Sequence, residues 1–165
     1  MAKITIMQLG EGLVTDTATG MKGMLTHCHV NPMGHTMYVF QPKGLNPETG
    51  HPLERTFIDE SRIQGGTAEE IEVPTEALGT DVEDKASGLK GKAVGLVVHL
   101  SGCVHIDIQP TGRVAKTGGA PERVDVDIRR LKGAKIPDLT KAERAKDQKV
   151  KPSPSAMPKG NAWGF

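Results

Sequence analysis

Aromatic residues are scarce in this chain, five in 165: one Trp, one Tyr and three Phe. So few rings leave little for a base-stacking platform of the kind single-stranded nucleic acid requires. Cysteine is scarce too. Cys28 and Cys103 make no disulfide framework, so a reducing cytoplasm is the simplest setting for the polypeptide. No apolar run exceeds a few residues, which excludes a bilayer-spanning helix, and the opening Met1-Ala-Lys-Ile-Thr-Ile-Met7 lacks the apolar segment of a secretory signal. Charge of one sign is also missing. With 21 Lys+Arg against 20 Asp+Glu, neither a uniformly basic nucleic-acid coat nor an acidic disordered tract is expected. Turn-formers are what the chain has in excess. Its 20 Gly and 11 Pro make about 19% of residues, against roughly 12% ordinarily, and this points to short strands and turns.

The sequence also repeats itself. With a shift of 68 residues, 14–63 lies on 82–131 without a gap, and 17 of the 50 aligned positions are identical. Chance would give roughly one in sixteen. The identities include Val14/Val82, Asp16/Asp84, Gly20/Gly88, Gly23/Gly91, Gln41/Gln109, Arg55/Arg123 and Arg62/Arg130. A unit of this length present twice is too long for a solenoid and suits two small domains. The expected organisation is a first repeat over 1–66, a linker over 67–77, a second repeat over 78–131 and a C-terminal arm over 132–165.

Within each repeat the apolar residues alternate with period two. Thr26, Cys28 and Val30, the turn Met33-Gly34, then Thr36, Tyr38 and Phe40 predict a hairpin. The second copy reads Val94, Leu96, Val98 and Leu100, the turn Ser101-Gly102, then Val104, Ile106 and Ile108. Shorter strands are expected at 12–15 and 56–59 and at their copies. Four or five short strands in about 55 residues predict an all-β chain of two tandem small SH3-like antiparallel β-barrels. Each has a small core that leans on its neighbour or on a partner.

The pattern Val-x-Asp-x-x-(Thr/Ser)-Gly-x-Lys-Gly, then a hairpin with Gly-(His/Cys), then Gln-Pro and an acidic strand end, resembles small SH3-like proteins of tailed bacteriophages. Ser101-Gly102-Cys103-Val104 with Gln109-Pro110 carries the likeness best, and it covers about 100 of the 165 residues. The resemblance implies a structural virion component, a capsid decoration or cement protein, present in many copies. Its implied partners are the major capsid protein or other virion proteins, and its implied location is the virion, assembled in the host cytoplasm. His35 stands in the first repeat where Cys103 stands in the second, so the fold does not require the thiol. Val14 with Gly20-Met21-Lys22-Gly23 is also similar to a KOW motif, which implies an RNA or polymerase partner. The turn itself, however, is explained by making a barrel corner.

Candidate chemistry is thin. His27-Cys28-His29 suggests a metal site with Cys103 and His105, but on a strand Cys28 points away from the two histidines and into the core. No Cys-x-x-Cys or His-x-x-x-His spacing occurs. His99, His105 and Asp107 share an outer face, as a solvated or interface patch or as a loose metal site. No nucleophile elbow, phosphate loop or supported pair of carboxylates is present, so neither enzyme activity nor a cofactor is expected.

The near-neutral average hides a dipolar chain. Residues 1–131 carry 13 Lys+Arg against 17 Asp+Glu, a sum of −4, while 132–165 carry 8 against 3, a sum of +5. Thr140 and Glu143 form a capping-box pattern for a short helix over 138–150, and Pro152, Pro154 and Pro158 keep the remainder extended. Two of the five aromatics, Trp163 and Phe165, end this arm. With Lys149, Lys151 and Lys159 they are the expected partner-binding residues, since a terminal ring can bury about 150–250 Å² in a partner's pocket.

Overall fold

The computed structural model describes residues 1–133, and among them the chain is all-β, with short 3-10 turns and no α-helix. The first repeat contributes β1 (Ala2–Met7), β2 (Val14–Asp16), β3 (Lys22–Val30), β4 (Thr36–Pro42), β5 (Thr56–Asp59) and β6 (Ile63–Gln64). Next come β7 (Ala68–Val73), β8 (Asp81–Glu83), β9 (Lys90–His99), β10 (Val104–Pro110) and β11 (Val124–Asp127). Every strand pairing is antiparallel and the sheets are open. The hairpins β3–β4 and β9–β10 form as their alternation predicts, and β5 and β11 fall at the expected strand positions.

The two hairpins merge edge to edge in the strand order β5-β4-β3-β9-β10-β11. The joining ladder pairs His27 with His99, Cys28 with Val98, His29 with Val97 and Val30 with Leu96. Under the 68-residue offset this register maps onto itself. Cys28–Val98 becomes Leu96–Val30, and His29–Val97 is its own counterpart, so a local two-fold passes through that pair.

Simple alternation fails at one point in each repeat. The β3–β4 register skips Thr26 and the β9–β10 register skips Val94, which are equivalent positions. The extra residue is a β-bulge, which reverses the facing of everything before it. Leu25 and Ala93 therefore enter the core, where Thr26 and Val94 were expected, and Leu100 lies exposed beside the hairpin turn. The core itself is Leu25, Tyr38, Phe40 and Ile58 in one half and Leu96, Ile106, Ile108 and Val126 in the other.

The expected linker over 67–77 contains a strand. β7 pairs with β1 along its length, Ile4 opposite Ile71 and Ala2 opposite Val73. Ile71 and Val73 alternate with Glu70 and Glu72, so the segment has a face to bury and a ladder for its backbone groups. Ile6 and Val73 are both buried. The Met7 N–H donates to Tyr38 Oη at 2.9 Å, tying β1 to β4.

Each repeat turns the same corner with the same bonds. The buried Asp16 carboxylate accepts from the Ala18 N–H (3.1 Å), Thr19 Oγ1 (2.7 Å) and both Arg62 Nε (2.9 Å) and Nη2 (2.7 Å). In the copy, buried Asp84 accepts from the Ala86 N–H (3.2 Å), Ser87 Oγ (2.6 Å), Arg130 Nε (2.9 Å) and Arg130 Nη2. The arginine hydrogen bonds, with Thr19 or Ser87, hold both carboxyls well below the usual carboxylate range. The acidic ends of β5 and β11 do not take these arginines: Asp59 and Asp127 cap the following 3-10 turns, accepting from the Ser61 and Arg129 N–H groups. Gly20 and Gly88 close the turns at φ +74° and +78°, a region that disfavours side chains. The repeated motif is therefore accounted for by the corner it builds.

Candidate functional site

Strand periodicity assembles a polar cluster on the outer face of the joined sheet. On β3, Cys28 and Val30 point inward, so His27 and His29 point out. Val98 on β9, Ile106 and Ile108 on β10, and Val126 on β11 likewise point inward. That leaves His99, His105, Asp107 and Asp125 outward. A surface cavity of about 320 Å³ lies over this face, lined by His27, His29, His99, Asp107 and Asp125 together with Arg55 and Phe57.

The geometry is close. The His27 and His99 rings meet edge to face with centroids 4.5 Å apart, and the His99 and His105 centroids are 4.6 Å apart. His105 Nδ1 is 2.9 Å from Asp125 Oδ1. His27 Nδ1 lies 2.8 Å from Thr26 Oγ1, the hydroxyl of the bulge residue. Burial pushes the pKa values of His27, His29 and His99 below the ordinary imidazole value, and repulsion from neighbouring imidazoles adds to it. Burial, and then the charge of Asp125, raises that of Asp107. Among the described residues, buried His99 Nε2 has no hydrogen-bond partner, an arrangement that costs about 1–3 kcal/mol when nothing compensates it.

No family model, curated protein or solved structure matches this chain.

Of the residues singled out from the sequence, Cys28 is in the core as expected, with burial pushing its thiol up to about 12. Cys103 is exposed on the second hairpin turn. His99, His105 and Asp107 share their face as expected. The five arm residues, Lys149, Lys151, Lys159, Trp163 and Phe165, lie outside the described residues. One pairing and one residue of the cluster escaped the sequence reading. The sequence groups His27 with Cys103 and His105 but does not bring it to His99, whereas β3–β9 pairing sets His27 directly opposite His99. Asp125 was missed because it reaches His105 diagonally across β10–β11. One signal was available. The outward positions equivalent to His27, His29, His105, Asp107 and Asp125 are Gly95, Val97, Met37, Val39 and Phe57, so one copy or the other departs from an apolar pattern at each.

Chemically, the arrangement offers imidazole lone pairs and carboxylate oxygens to a cation, or a half-buried polar patch beside the apolar Phe57 and Met37 to a protein surface.

Proposed function

We propose that this chain is a non-enzymatic structural protein of a tailed-phage virion, a capsid decoration or cement protein that binds the capsid surface through its body and its C-terminal arm. One observation carries the reading: the duplicated body displays large apolar side chains on its sheet and loop tips. Met37 and Phe57 are 42% and 55% exposed, and Met33, Leu45 and Leu100 are 80%, 64% and 53% exposed. Displayed this way, apolar groups suit attachment to another protein. Several weak contacts in one chain multiply into stable binding, and Trp163 and Phe165, with Lys149, Lys151 and Lys159, extend that logic to the arm. The small SH3-like barrels implied by the phage resemblance belong to the same proposal.

Mass spectrometry of purified particles tests it. Presence at high copy number supports capsid decoration, a few copies per particle would place the chain at the neck, tail or baseplate, and absence refutes a virion role. Deleting 151–165 is expected to weaken binding to undecorated capsids, and unchanged binding would remove the arm from the mechanism. The KOW likeness points instead to nucleic acid, which the −4 sum over 1–131 disfavours. Salt-sensitive RNA or DNA binding well below millimolar would reverse that judgement.

A further inference from the structure

The geometry points to a divalent transition-metal site of zinc type on the outer face of the joined sheet, with His99, His105 and Asp125 as its three protein ligands. This inference is independent of the virion proposal. One donor atom from each of these residues lies within 4.8 Å of the other two. A tetrahedral zinc with bonds of about 2.0–2.1 Å needs its donors about 3.3 Å apart. The His105 Nδ1–Asp125 Oδ1 pair, at 2.9 Å, is already near that separation, so a metal between them replaces the shared hydrogen after a small opening. The imidazole then carries its proton on Nε2. His99 supplies the third donor, and its ring carries a buried nitrogen, Nε2, that has no hydrogen-bond partner among the described residues. A metal bond at that ring nitrogen removes the penalty of leaving it unpaired.

The surroundings suit a cation held by two nitrogens and one oxygen. His27 packs edge-on against His99 and shields that side of the site. Asp107, half-buried on β10 and close to Asp125, adds negative charge, opposed by Arg55 and Arg123 at the margin. Two imidazoles and a carboxylate are a borderline donor set that favours zinc-like ions over magnesium or calcium, which take oxygen ligands. Three protein donors leave a fourth position for water or for a group from a partner. The ligands come from β9, β10 and β11, and the His27 shield comes from β3, so the ion sits against the ladder that joins the two repeats.

The test is calorimetric titration of the metal-free full-length chain with Zn²⁺, repeated with Co²⁺ to read coordination from its visible bands. One ion per chain, tetrahedral cobalt bands and a zinc-dependent rise in Tm are expected. Loss of a group that merely hydrogen-bonds to a ligand weakens a metal site about 10–100-fold, so His99→Ala and His105→Ala, which remove ligands, should each weaken it at least about 100-fold. The paired substitution of His35 and His51 by Ala, both in loops away from the cluster, should leave binding unchanged. His105→Gln keeps a hydrogen-bonding side chain beside Asp125 while removing the imidazole, and serves if an alanine variant misfolds. Absence of stoichiometric binding, survival of binding in His99→Ala and His105→Gln, or its loss with the His35/His51 pair would each overturn the assignment.

Discussion

Gly91 offers a sharp test of how β9 and β10 pack. It sits within β9 opposite Pro110, and a methyl group added there falls on the Gln109 carbonyl, with Ile108 Cγ2 and the Gln109 carbonyl carbon each 2.8 Å away. Two of those three atoms are backbone, and β10 is held by ladders to β9 on one side and β11 on the other. Gly91→Ala must therefore spread two paired strands rather than rotate a side chain. Forced overpacking costs about 1–3 kcal/mol, and an obstruction made of backbone puts this case at the upper end, about 3 kcal/mol. For a folded unit of this size each kcal/mol lowers Tm by roughly 3–4 °C, so a fall of roughly 10 °C is expected. Gly88→Ala is the matched control. Its φ of +78° penalises a side chain, but nothing lies within 4 Å, so the cost is only the left-handed backbone, about 1–2 kcal/mol or roughly 5 °C. Thermal unfolding followed by circular dichroism compares the two. If Gly91→Ala loses no more than Gly88→Ala, the close strand approach is wrong. Gly23, the equivalent glycine, should behave more mildly, because two of its three nearest atoms belong to the Phe40 ring.

The folded pKa values of Asp16 and Asp84 are depressed, so their stabilisation is complete above the unfolded carboxylate value of about 3.9 and is lost as pH falls through the folded values. Unfolding free energy should therefore decline below about pH 4, and Asp84→Asn should flatten that decline; an unchanged acid limb would assign it to other carboxylates. A thiol reagent should label Cys103 alone in the native chain and both cysteines in denaturant, since Cys28 is buried; native labelling of Cys28 would contradict its core position. Tyr38→Phe leaves the Met7 N–H unpaired and should cost about 1–2 kcal/mol, with hydrogen exchange quickening in β1 more than in β10. Uniform quickening would mean the hydroxyl does not tie β1 down.

Local features were legible because they rest on local chemistry. Alternation located β3, β4, β9 and β10, and Gly34 and Gly102 located their turns, since both depend on residues a few positions apart. The bulges at Thr26 and Val94 were invisible: neither residue announces an extra position, and only the partner strand reveals that one was skipped. β7 was hidden for a different reason. Half of its residues are glutamates, and only the pairing with β1 gives Ile71 and Val73 something to cover. The histidine cluster required the β3–β9 ladder, whose partners lie 66 to 72 residues apart in the chain. Nothing near His27 in sequence names His99 as its neighbour.

The register of that ladder has a further meaning. Two identical chains could pair through the same strand in the same register, each supplying what the other receives, as an isologous dimer does about its axis. Joining the two copies in one polypeptide makes that association independent of concentration and releases each copy from having to match the other. The consequence is visible at the axis itself, where one copy presents His29 and the other Val97. A symmetric dimer cannot place a histidine opposite a valine at its own two-fold. Only a fused pair can, and that freedom is what allows one side of a shared face to become polar while the other keeps Met37, Val39 and Phe57.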